Sequence, residues 1–175
     1  MTTIGFIGAG NMARALGAGL AKHEPEMRLM ASDPFQANLD RFVAETGGRP
    51  VATNVEIVGA AETVILAVKP QVLPAVLAEI SPSMTGRHLV LSIAAGITLG
   101  TLQQGLGASV RTIRVMPNTP ALVGAGMTVL LPGPNATGAD LQLAERLFAG
   151  VGETARIDDE GQMDAVTALS GSGPG

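Results

Sequence analysis

Thr3-Ile4-Gly5-Phe6-Ile7, followed at once by Gly8-Ala9-Gly10-Asn11-Met12-Ala13, is the stretch whose reading decides the fold. The first five residues form a short apolar run of strand character. The next six form a G-x-G-x-x-A turn, and residues 11–22 continue with a helical pattern. Strand, glycine turn and helix in that order are what a dinucleotide-binding fold requires. Gly8 lets the backbone turn sharply, and Gly10 lets a pyrophosphate approach the main chain. Ala13 is small enough for the helix to sit close on the strand. The amino end of that helix, with its free N–H groups and positive dipole, then faces the phosphates. An ordinary glycine turn in any α/β protein would look similar, so the position and the flanking elements carry the argument.

The rest of the composition narrows the classes. A chain of 175 residues with 46% hydrophobic content is long enough for one full core. The net charge of -4 argues against nucleic acid or an anionic membrane as partner. Only four aromatic residues occur, all Phe, so base-stacking platforms are absent. With no cysteine there is no disulfide, no thiolate chemistry and no cysteine-held zinc. Two histidines, His23 and His88, are too few for most metal sites, and no metal is expected. The sequence shows neither a signal-peptide pattern nor an apolar run of membrane-spanning length, so the cytoplasm is the default location.

Taken in order, the chain alternates strands and helices. Residues 28–32 read as a second strand, ending at Asp33-Pro34. A carboxylate at that point of a Rossmann fold meets the adenosine ribose and repels a 2′-phosphate, so Asp33 leans toward NAD. It equally suits the start of a helix running to about residue 45. Residues 51–52 are a minimal third strand, and residues 54–60 a short helix that Asn54 could cap while still touching the adenine side. Residues 62–68 form a buried parallel strand ending at Lys69-Pro70. Lys69 lies where open α/β sheets bind ligands, although a lysine there can also simply reach into solvent. Pro70 opens a helix to about residue 81. Residues 88–93 are a strand, with His88 a structural residue, and the small Ala94-Ala95 after it leave room for a flat ring. A helix at 99–106 precedes a strand at 110–115. Met116-Pro117-Asn118-Thr119-Pro120 then reads as a shaped loop, because two prolines cannot extend a strand. Strands at 126–131 and 153–157, with a helix at 139–149 between them, are expected antiparallel at the sheet edge. A last helix starts near Asp158 and reaches about residue 169. The fold class is α/β: a Rossmann-type, doubly wound, mostly parallel sheet with extra strands at one edge. Residues 1–157 form the nucleotide domain, and residues 158–175 begin a further helical one.

I-G-F-I-G-A-G-N-M-A, L-A-V-K-P-Q, S-I-A-A-G-I, R-V-M-P-N-T-P and A-L-S-G-S-G-P, in this order, resemble pyrroline-5-carboxylate reductase over essentially the whole chain. The resemblance implies reduction of the ring imine of 1-pyrroline-5-carboxylate to L-proline, the last step of proline biosynthesis, with NADPH or NADH. It implies that Ile7, Gly8, Ala9, Gly10, Asn11 and Met12 hold the pyrophosphate. Asp33 and Asn54 would meet the adenosine half. Ala67, Val68, Lys69, Pro70, Ala94 and Ala95 would border the nicotinamide half, with Met116, Pro117 and Asn118 shaping its pocket. Ser170, Gly171 and Ser172 would bind the substrate carboxylate. The family continues past this point with a helical domain that makes a homo-oligomer and carries a threonine for the imine. This chain has neither, which makes it the cofactor part of such an enzyme.

The chemistry asked of the protein is modest. The cofactor carries the hydride, and no His, Cys or carboxylate is placed as an evident catalytic acid. That suits an imine, whose proton can come with the substrate or from solvent. Two rival readings stay open on the residues alone: a β-hydroxyacid dehydrogenase relative with Lys69 near its substrate, and a nucleotide-binding redox sensor without catalysis.

Overall fold

Eight strands join one sheet in the computed structural model, which describes residues 2–166. They are β1 (Thr3–Ile7), β2 (Arg28–Ser32), β3 (Arg49–Pro50), β4 (Thr63–Leu66), β5 (Leu89–Ser92), β6 (Arg111–Pro117), β7 (Gly126–Pro132) and β8 (Gly152–Arg156). Among the described residues, six α-helices connect strands and a seventh follows β8: α1 (Asn11–His23), α2 (Gln36–Thr46), α3 (Asn54–Ala60), α4 (Leu73–Ile80), α5 (Leu99–Leu106), α6 (Gly138–Ala149) and α7 (Glu160–Val166). The strand order is β3-β2-β1-β4-β5-β6-β7-β8. β1 to β6 run parallel, β7 runs antiparallel to β6, and β8 runs parallel to β7. The last two strands therefore oppose the parallel six, as the sequence suggested. The α/β Rossmann-type class stands.

Alternation along the strands explains the layers. Ile4, Phe6, Ile65, Leu89, Leu91 and Ile113 share one core with α1, α2 and α6. Val64, Leu66 and Val90 point the other way, into a core with α3, α4 and α5. Both faces of β4 are covered, so Val64, Ile65 and Leu66 are each 0% exposed. Truncating Ile65 or Leu66 to Ala would cost about 2–5 kcal/mol. Phe6 and Phe42 pack ring to ring at 5.3 Å, tying α2 to the first strand. A third, smaller cluster holds α7: Met163 lies against Val129 and Leu131.

Several element boundaries differ from the sequence reading. β3 is Arg49–Pro50 rather than 51–52, although Val51 N–H still donates to Ala31 O at 2.9 Å. β4 is shorter than 62–68 because the chain turns away after Leu66 to cross the sheet edge. α4 begins at Leu73, not Pro70, since a turn closed by Val72 N–H on Lys69 O comes first. β6 continues through Pro117, where a loop was expected. Its parallel neighbour β5 pairs only as far as Arg114, so beyond that point only β7 is alongside. A proline at the very end of such a strand forfeits at most one ladder bond. Among the described residues no helix is long and apolar enough to cross a membrane.

Candidate functional site

The chain crosses over at β1. After β3 it returns past β1 to lay down β4 on the other side, and this reversal opens a crevice beyond the carboxyl ends of the two strands. The register puts the strand ends in one row: Ile7 pairs with Ser32 and Leu66, Leu66 with Ser92, and Ser92 with Arg114. The turns after these residues hold Gly8, Asp33, Ala67 and Ile93-Ala94. Residues as distant in sequence as Gly8 and Ala94 are thus brought to one edge.

Gly8 and Gly10 do different work at that edge. Gly8 has φ +95°, and a Cβ there would sit 2.6 Å from Ala67 O. Only glycine allows the loop to pass so close to the β4 end. Gly10 meets nothing within 4 Å where its Cβ would be. The space above it is open. Gly10 is also the N-cap of α1, and no side chain caps that helix end. The first N–H groups of α1 face this opening with no intrahelical partner. Ala13, with 0% exposure, packs beneath, as its size suggested. Asn11 is exposed, and its Oδ1 accepts from Arg14 at 3.1 Å.

Asp33 is bound more tightly than the sequence indicated. Its Oδ2 accepts from Ala9 N–H at 2.8 Å, which ties the glycine loop to the end of β2. Its Oδ1 accepts from Phe35 N–H at 2.9 Å and from Asn38 Nδ2 at 3.1 Å. The carboxylate stabilises the turn ahead of α2, but Phe35 is the N-cap, so helix capping in the strict sense is corrected. Asn54 is not a cap either. Thr53 takes that role, accepting from Glu56 N–H at 3.2 Å. Thr53-x-x-Glu56 is a capping-box pattern, a signal the sequence did contain. Asn54 is left to bond Ser32 and Glu79.

These groups line a cavity of about 340 Å³ that includes Gly8, Ser32, Asp33, Asn54, Val68 and Glu79. No lysine or arginine lines it. A larger hollow of about 710 Å³ lies at the opposite end of the sheet, against Arg28, Gly47, Gly48 and Arg49. No helix amino end is aimed there, because helices that follow parallel strands begin at the carboxyl edge. The smaller cavity is therefore the better site candidate.

Further along the edge the lining turns apolar. Ala94 is buried, Ala95 is exposed, and Met116 is half-buried. Pro117 is buried, and Asn118 is held by its Oδ1 accepting from Met127 N–H at 2.9 Å. Ala67 and Val68 are half-buried in the turn after β4, with Pro70 beside them. Lys69 is exposed, and its ammonium has no partner among the described residues. Ser170, Gly171 and Ser172 lie outside the described residues. No cluster of metal-binding side chains occurs among the described residues.

One buried group keeps the structural role that the sequence suggests, and a second has no local sequence signal. His88 is fully buried at the amino end of β5, with Nε2 3.2 Å from Val58 O and Nδ1 accepting from Thr85 N–H at 2.9 Å, a packing role. Arg114 is also buried, and its Nη1 donates to Glu160 Oε1 at 2.6 Å. The same Glu160 oxygen accepts from Leu99 N–H at 2.8 Å. This arrangement fixes the start of α7 against the start of α5. Nothing in local sequence pairs residues so far apart.

The family model described as NADP oxidoreductase coenzyme F420-dependent matches residues 3–96, just over half of the chain. Among curated relatives, a pyrroline-5-carboxylate reductase of Pseudomonas aeruginosa is 42% identical over 172 residues, covering 98% of this chain and 63% of the relative. A solved pyrroline-5-carboxylate reductase from Coxiella burnetii superposes with a TM-score of 0.94 at 34% identity, over 99% of this chain and 65% of that one. The Plasmodium falciparum pyrroline carboxylate reductase, solved with NADP bound, gives a TM-score of 0.87 at 31% identity over 99% of this chain and 63% of its own. The resemblance that the motifs carry is thus shown. The chain spans less than two thirds of the length of these relatives.

Proposed function

The chain belongs to the family described as NADP oxidoreductase coenzyme F420-dependent, and on that footing we propose that it is the cofactor-holding part of a pyrroline-5-carboxylate reductase. The protein that carries it would reduce 1-pyrroline-5-carboxylate to L-proline. When bound, a nicotinamide cofactor supplies the hydride that the imine carbon receives. The geometry that supports this reading most directly is the crevice at β1. Gly8 is forced by the close pass of Ala67, Gly10 stands under open space, and the amino end of α1 carries no side-chain cap.

In this reading the backbone from Ile7 to Met12 holds the pyrophosphate through the amino end of α1. Asp33 and Asn54 receive the adenosine half. Ala67 to Pro70, Ala94, Ala95 and Met116 to Asn118 enclose the nicotinamide half and keep water from it. Ser170, Gly171 and Ser172 bind the substrate carboxylate. The only carboxylates on the cavity, Asp33 and Glu79, sit at the adenosine end. In this reading the proton for the imine nitrogen comes with the substrate or from solvent, as an imine permits. We read the preference as NAD, since Asp33 stands at the end of β2, where a carboxylate repels a 2′-phosphate, and no cation lines the cavity beside it. The test is consumption of NADH by the intact protein with 1-pyrroline-5-carboxylate as acceptor. Proline formation supports the proposal. Turnover of hydroxyisobutyrate instead would move the chain to the dehydrogenase reading, and NADH binding without any turnover would move it to a sensor.

A further inference from the structure

The cavity beside Asp33 holds a hydrogen-bond chain that none of the sequence motifs contains. Ser32 Oγ donates to Asn54 Oδ1 at 2.7 Å, and Asn54 Nδ2 donates to Glu79 Oε2 at 2.7 Å. The three groups come from the end of β2, the first position of α3 and the last turn of α4. All three line the cavity.

An amide side chain can sit in two orientations that exchange its oxygen and nitrogen, and its partners select between them. The Ser32 hydroxyl can donate or accept, so it suits either. The Glu79 carboxylate only accepts, so it admits the NH2 group alone. Glu79 therefore sets the orientation of Asn54, and Ser32 follows. With both bonds made, Asn54 keeps one N–H and one carbonyl lone pair uncommitted.

We propose that Glu79 is a positioning residue for nucleotide binding, fixing the orientation in which Asn54 offers its remaining N–H and lone pair to the adenosine half. This rests on the nucleotide-binding reading above. Asn54 touches the ligand, and Glu79 acts only through it. An orientation fixed before binding spares the ligand the cost of selecting one of two states.

The test is a double-mutant cycle read by titration with NADH and with ADP-ribose. Glu79→Ala is expected to weaken both ligands about two-fold or more, because Ser32 accepts either orientation and the competent fraction falls to half or below. In Glu79→Gln the partner amide can itself turn, so both Asn54 orientations become available. The competent fraction falls to about half, a loss of about two-fold. In an Asn54→Ala background, Glu79→Ala is expected to cost nothing further. Losses that add in the double mutant would overturn the positioning role, as would unchanged affinity in Glu79→Ala. Should the unaltered chain bind neither ligand, the nucleotide reading itself falls; should it bind both while the cycle is additive, only the role of Glu79 falls.

Discussion

The two halves of the carboxyl edge are built differently. At the ends of β2 and β1 the edge is polar and its side chains are tied in place: Asp33 grips Ala9 and Phe35, and Ser32, Asn54 and Glu79 form a chain. At the ends of β5 and β6 it offers Ala94, Ala95, Met116 and Pro117, whose side chains make no hydrogen bonds. One half can recognise a ligand by directed bonds held in advance, and the other fits it chiefly by shape. A ribose with two hydroxyls needs the first kind of wall, and a flat ring that must present one face to a substrate needs the second. The difference also separates specificity from chemistry. In the reading proposed above, the choice between nucleotides lies far from the reacting carbon, so it can change without disturbing hydride transfer.

Four substitutions or conditions would break or sharpen that contrast. The largest effect is expected at the boundary between the halves. Gly10→Val fills the open space over the loop and should weaken NADH by more than about 100-fold. Folding should be unchanged, because the new Cβ has no neighbour within 4 Å. Fluorescence titration and a melting curve check both parts. Next, Asp33→Ser should raise the ratio of NADPH to NADH affinity about ten-fold by removing a facing charge. Both affinities should also share a common loss, since serine cannot reach the Ala9 N–H that Asp33 holds. If the ratio stays fixed in paired titrations, the carboxylate is a loop brace and nothing more. At the apolar end, Ala95→Leu should weaken NADH by about three- to ten-fold while leaving ADP-ribose unaffected, because it crowds only the ring. Equal loss of both ligands would erase the distinction between the halves.

The smallest effect concerns charges outside the site. Glu24 is held below the usual carboxylate range by the hydrogen bond from Arg146, and Glu145 likewise by Arg156. Their folded values are depressed, so any stability they add is present above the unfolded value of 4.5 and is lost as pH falls through the folded value. Both pairs lie on the surface, so a melting curve should change little on acidification to about pH 4.5, and salt should remove what change there is. Nucleotide affinity should not follow it.

Legibility in the sequence tracked how local each signal is. The glycine turn and the apolar runs at β4 and β5 are local signals, and they locate the edge. Residues 51–52 were misread for β3 because a two-residue strand has no period to detect. Pro117 was expected to end its strand, but the early stop of β5 removed the neighbour that a proline would offend. Asn54 suits a cap in sequence, yet Thr53, one residue earlier, begins the T-x-x-E pattern and takes the role. Glu79 and the Arg114–Glu160 pair were out of reach altogether. Their partners lie 25 and 46 residues away, and only the packing of α3, α4, α5 and α7 brings them together.

The most direct measurement is diffraction from crystals of this chain grown with NADH. The account predicts pyrophosphate density against the amides of Gly10 to Met12, with the adenosine ribose beside Asp33 and Asn54. Density in the hollow by Arg28 and Arg49, at the other end of the sheet, would contradict it.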